Sequence, residues 1–182
     1  MGAIVNGIQS EWGALANTGG TPNLASIIGN VSNDSLVARL GAMERCVAKT
    51  DGAVLSGADN LFTIAGGPIM VTQFVGIVAT GIIGAANMTI QITTTAPAGT
   101  VALSTTVAID DDAAGTSYTF TAAAPGVLTP TTAGALANVP SYNWLCPIGT
   151  ISGLGSAARA GVIAWYMTYR PLSPNCVVAA AA

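Results

Sequence analysis

The chain has 182 residues, no histidine, 7% charged residues and a formal net charge of -3. An average soluble chain carries about 25% charged residues, so this one is poor in the groups that catalysis, metal binding and phosphate neutralisation draw on. Its hydrophobic content of 51% exceeds what a chain of this length normally hides alone, which predicts burial against copies of itself.

The first 59 residues hold most of the charge, and between Asn60 and Ala158 the only charged side chains are Asp110, Asp111 and Asp112. Met1 to Asn6 shows no basic run followed by an apolar one, so no secretory signal is expected, and synthesis and assembly are expected in the cytoplasm. Trp12 and the Asn17 to Gly20 loop lie in a stretch without a sustained period, read as an arm that orders on a partner. Leu36, Leu40, Met43 and Val47 then recur at coiled-coil spacing, which predicts a helix over Asn33 to Gly52 with these four residues as an oligomer seam. Asn33 or Asp34 supplies its cap and Asp51-Gly52 its stop. Gly41 costs about 1 kcal/mol relative to alanine, so the helix requires packing partners, either in a self-associating bundle or on the chain's own β-domain.

From Leu61 onward the pattern is strand and turn. Phe74 to Ala86 is apolar but shorter than the ~20 residues that span a bilayer, and its Val, Ile and Thr content reads as buried strand with no membrane partner. Met88, Ile90 and Ile92 alternate with Thr89, Gln91 and Thr93 in the period of a half-buried strand. Pro125 to Pro140 reads as a long surface loop, and Gly161 to Arg170 as a strand between two packed layers. These segments predict a mainly β fold, an antiparallel β-sandwich or jelly roll over residues 60–182, preceded by an arm and short helical stem over residues 1–59.

Little in the chain nominates chemistry. Three consecutive aspartates alternate faces in an extended chain and do not converge on one cation, so Asp110 to Asp112 read as a solvated turn. Cys46, Cys146 and Cys176 have no zinc-site spacing; Cys146 with Cys176 is the one intramolecular pair worth testing. Serine nucleophiles have no histidine to activate them, and Gly153-Leu154-Gly155-Ser156 lacks the ending of a phosphate loop and reads as a hairpin turn. No catalytic, cofactor-binding or metal-binding residue is therefore nominated, and no basic stripe points to nucleic acid. Tyr142 and Trp144, with Trp12, remain as candidate partner contacts, because aromatic rings with polar edges suit interfaces and sugar platforms.

The stretch Leu61 to Thr72 (LFTIAGGPIMVT), running into Val75-Gly76-Ile77-Val78, resembles the opening of a β-domain in small structural proteins of tailed-bacteriophage virions. Pro147 to Ile151, then Trp165 and Tyr169-Arg170-Pro171-Leu172, are similar to its closing strands. The resemblance covers about residues 61–178 and rests on turns and core positions. It implies a head decoration (cement) protein or a short head fibre, trimeric, with the major capsid protein as partner and the virion as location. The alternative expectation is a receptor- or carbohydrate-binding module of a tail fibre, with Tyr142 or Trp144 at its tip.

Overall fold

A computed structural model describes residues 43–182, apart from residues 55, 122–124, 136, 138 and 140. The described part is mainly β, with twelve strands in two antiparallel sheets. The first sheet runs in the order β1 (Arg45–Val54), β11 (Arg159–Pro171), β3 (Ile69–Ile83), β7 (Ser117–Phe120) and β8 (Leu128–Thr131). Strand β9 (Trp144–Cys146) also pairs with β3, at Ile69 to Val71. The second sheet runs β12 (Val177–Ala180), β2 (Gly57–Ala65), β10 (Gly149–Gly155), β4 (Asn87–Thr95) and β5 (Ala98–Ala102), with β6 (Val107–Ala108) beside the start of β4.

The chain changes sheet at most of its connections. When β6 and β9, which lie off the two strand paths, and the four-residue end strands β8 and β12 are set aside, the first sheet holds the first, eighth, third and sixth of the remaining strands. The second sheet holds the second, seventh, fourth and fifth.

One apolar cluster lies between the sheets, and alternation along the strands builds it. Met88, Ile90 and Ile92 of β4 are buried, while Asn87 and Thr93 are exposed and Thr89 and Gln91 half-buried. Ile163, Trp165, Met167 and Tyr169 supply the inner side of β11. Phe62 of β2 meets Phe74 of β3 edge-to-face at 5.8 Å, and Phe74 also touches Phe120 and Trp165, each at 5.4 Å. Burying each such ring contributes about 2–3 kcal/mol, and each aromatic pair adds roughly 1 kcal/mol.

The helical stem is corrected over its described part. Arg45 to Val54, eight residues of which fall inside the predicted helix, form strand β1 on the edge of the first sheet. Val47 packs on the core, and Lys49, Gly52 and Val54 are buried, in strand alternation broken by a bulge between Lys49 and Gly52. A ladder to the thirteen-residue β11 outweighs a local helical period that already contains a glycine. Met43 precedes the strand and is 58% exposed. Trp12, Leu36 and Leu40 lie outside the described residues. Strands β1 and β2 both begin before residue 60, so the sheets take in chain assigned by sequence to the stem.

Three further expectations change. Leu128–Thr131 is a strand paired with β7, inside the stretch read as a loop. Gly153, Leu154 and Gly155 continue β10, where the inner positions are Gly149, Ile151, Gly153 and Gly155, so this segment is not a hairpin turn. The outer side of β11 is not a second packed layer, since Tyr166 is 38% exposed and Val162 and Thr168 are half-buried.

Candidate functional site

The acidic turn is structural. Asp110 Oδ1 accepts the Ala86 N–H at 2.9 Å, and Asp111 Oδ1 accepts the Gly84 N–H at 2.7 Å. Asp112 Oδ2 accepts the Tyr118 hydroxyl. The three carboxylates thus splay onto three partners: Asp110 and Asp111 tie the turn to the β3–β4 connection, and Asp112 ties it to β7. Asp111 takes a left-handed φ of 51°, a conformation that Asp tolerates better than most residues. Burial first, then the Asp112 carboxylate, pushes the Tyr118 hydroxyl far above its ordinary range, so it remains a donor. Among the described residues no three Cys, Asp or Glu side chains gather as a metal site.

The nominated aromatics occupy a different place from an exposed platform. Tyr142 is 2% exposed; its hydroxyl donates to Phe120 O at 2.6 Å and accepts the Phe120 N–H at 2.9 Å. Trp144 is half-buried, stacked on Tyr142 at 4.6 Å and edge-on to Phe120 at 5.2 Å. The trio fixes the segment before β9 against β7. On β9 it is Leu145 that faces outward, at 65% exposure.

Lys49 is the buried cation. Its Nζ donates to Ala181 O at 3.1 Å and lies 3.2 Å from Asp51 Oδ1, and its side chain is 6% exposed. Ala181 N–H in turn donates to Leu61 O at 3.0 Å. Lys49 therefore joins β1, an edge of one sheet, to the chain just beyond β12, an edge of the other. Asp59, whose carboxylate accepts the Ala53 N–H at 3.1 Å, is held above its ordinary range by burial, with the Lys49 charge opposing. Cys146 and Cys176 are buried free thiols, and Cys46 is an exposed one.

The surfaces that remain are the outer sides of the two sheets, and in-register rows of uncharged side chains cover both. On the second sheet, Thr63 pairs with Thr150, Thr150 with Thr93 and Thr93 with Thr100, which places four threonines side by side on adjacent strands about 4.8 Å apart. Thr93 and Thr100 are linked Oγ1 to Oγ1 at 3.2 Å. The next row contains Asn60, Ser152, Gln91 and Ala102, with Ser152 Oγ donating to Asn60 Oδ1 at 2.9 Å. On the first sheet the central row is Ala48, Tyr166, Val75, Thr119 and Thr129, flanked by Ala164, Ile77, Ser117 and Thr131. An ion pair, Arg170 with Glu44 at 3.3 Å, closes one end of that face. Sequence alternation places Thr89, Gln91 and Thr93 on an outer side, but the register that aligns four threonines depends on non-local pairing and has no local signal.

No protein-family model matches the chain, and no curated protein matches it in sequence. Among solved structures it is similar to a chain in the structure of infectious bursal disease virus Gt strain, with 16% identity and a TM-score of 0.21. The match covers 76% of this chain and 38% of that one, so the chain spans well under half the length of the viral protein. A likeness at this TM-score carries no argument.

Proposed function

We propose that this chain is a noncatalytic structural protein of a tailed-bacteriophage virion, a decoration (cement) protein that self-associates and binds the major capsid protein on the head. The observation that carries the reading is the pair of outer sheet faces whose central rows contain no charged side chain. Charged residues are depleted at the centres of protein interfaces, and a free exterior normally holds many of them. The strand order supports the reading as well. The first, eighth, third and sixth strands beside the second, seventh, fourth and fifth make the double Greek key of a jelly roll, a shape used in viral shells and in lectins. Wiring alone does not choose between those uses, and the uncharged faces favour the shell.

A protein that binds only the assembled lattice stabilises it by mass action. The receptor- or carbohydrate-binding alternative has the loop over residues 125–140 and Tyr142 or Trp144 at its tip. Tyr142 lies in the core and Trp144 is half-buried against it, which favours the first reading.

The test is to mix the purified chain with heads that lack it. Saturable co-sedimentation and a raised melting temperature of the heads are expected. Absence of binding to heads, together with a specific glycan-array signal abolished by Trp144→Ala, would overturn the proposal in favour of the alternative.

A further inference from the structure

The four lateral edges of the two sheets are protected unequally. Strand β1 carries Arg45, Lys49 and Asp51 and a bulge. Strand β8 carries Pro130, and the chain beyond β12 is tied down through Lys49 and Ala181. These are the devices by which native edges avoid pairing with other chains. Strand β5, Ala98-Gly99-Thr100-Val101-Ala102, has none of them: it is uncharged, contains no proline, pairs with β4 without a register shift, and all five residues are exposed.

The hydrogen-bonding phase of β5 follows from its neighbours. Thr95, which faces Ala98, sends its N–H the other way, to Ile148 O, and Leu103 donates to Ile90 O. Alternation then directs the backbone groups of Gly99 and Val101 to β4, and those of Ala98, Thr100 and Ala102 out of the sheet. No further strand lies on that side among the described residues.

Two side-chain positions on β5 have no explanation among the described residues. Val101 faces Ile92, a core residue 3% exposed, and so has the core phase, yet it is 58% exposed because the sheet ends there. Gly99 weakens a strand, but among the described residues a Cβ built on it would meet only Thr94 Oγ1 at 3.9 Å, so packing among them does not require glycine. A strand glycine with open space beside it marks the approach of another backbone.

We propose that β5 is a dimerisation edge, at which two copies of the chain pair antiparallel with Thr100 facing Thr100 of the second copy. In this register Ala98 faces Ala102 of the second copy, so every outward backbone group on β5 finds a partner. Val101 faces Gly99 of the second copy, whose missing side chain makes room for it. The row of four threonines continues into the corresponding row of the second copy. A strand paired antiparallel with itself has two-fold symmetry, so the assembly closes at two copies along this edge. The proposal deepens the self-association named above and rests on it.

The test is the native mass, by light scattering, of the full chain and of two variants. Thr100→Pro removes an N–H that points away from β4, and Gly99→Val adds a side chain where the chain itself has space. The wild type is expected at an even multiple of 18.0 kDa. Both variants are expected at half its mass with cooperative thermal melting, lowered only by the lost association, and the Thr100 amide is expected to exchange more than tenfold faster in Gly99→Val than in the wild type. If Thr100→Pro fails to fold, Gly99→Val alone decides. An oligomer whose mass neither variant alters overturns the β5 edge and leaves self-association standing. A wild type at 18.0 kDa at every concentration overturns both.

Discussion

Gly76 lies directly beneath the indole of Trp165: a Cβ built on Gly76 would sit 2.6 Å from Cζ3 of that ring. From the strand on the other side, Gly52 approaches the same ring, with its notional Cβ 2.9 Å from Cδ1. The largest side chain in the core is thus seated between two glycines on β1 and β3, the strands that flank β11. Gly76→Ala is expected to destabilise the fold by about 1–3 kcal/mol through overpacking, and Trp165→Ala by roughly 3–5 kcal/mol through the cavity it leaves. Urea unfolding of the two variants checks this; a neutral Gly76→Ala would mean that the indole does not rest on that glycine.

Tyr142→Phe removes the hydroxyl that serves both the N–H and the carbonyl of Phe120 in a buried site. Leaving those groups unsatisfied is expected to cost about 1–3 kcal/mol, with the aromatic stack on Trp144 intact. Chemical denaturation measures the loss, and an unchanged tryptophan emission maximum would show that the packing around Trp144 persists.

Lys49→Ala is expected to free the chain end beyond β12. A charged hydrogen bond of this kind contributes roughly 1.5–3 kcal/mol, and here its acceptor is Ala181 O. Hydrogen exchange at Val178 and Ala181 should accelerate in the variant while exchange at Ile90, in the middle of β4, stays slow. Equal acceleration at both places would contradict a local tie.

The thiols give a pH prediction. Burial pushes Cys146 up to about 12 from its ordinary 9.0, so in the folded chain it stays protonated at pH 8 and unreactive, and burial also raises Cys176. A thiol reagent at pH 8 is expected to label one cysteine in the native chain, the exposed Cys46, and all three after denaturation. The folded state holds the Cys146 proton more tightly than the unfolded state, so this group's contribution to stability is complete below pH 9 and is lost as pH rises from 9 toward 12. Cys146→Ala should flatten that alkaline slope.

What the sequence revealed was local. Strict alternation disclosed β4 and the inner set Ile163, Trp165, Met167 and Tyr169 of β11, because period two needs only neighbours along one strand. Strand β1 was hidden because Leu36, Leu40, Met43 and Val47 have helical spacing, while Lys49 at a core-facing position looks like a solvated residue until its partner at Ala181 is known. Strand β8 was hidden by Pro130, which β8 accommodates at the end of its sheet. Tyr142 and Trp144 were legible as important aromatics but not as inward ones, since the acceptor at Phe120 lies 22 residues away along the chain. The threonine row and the open β5 edge exist only once four strands are in register.

Attachment to a head shell can be seen by cryo-electron microscopy of heads prepared with and without the chain. Difference density is expected at every equivalent position of the lattice, with an outer-face row of one of the sheets against the shell. Identical maps from the two preparations, at chain concentrations well above that of the capsid protein, would contradict it.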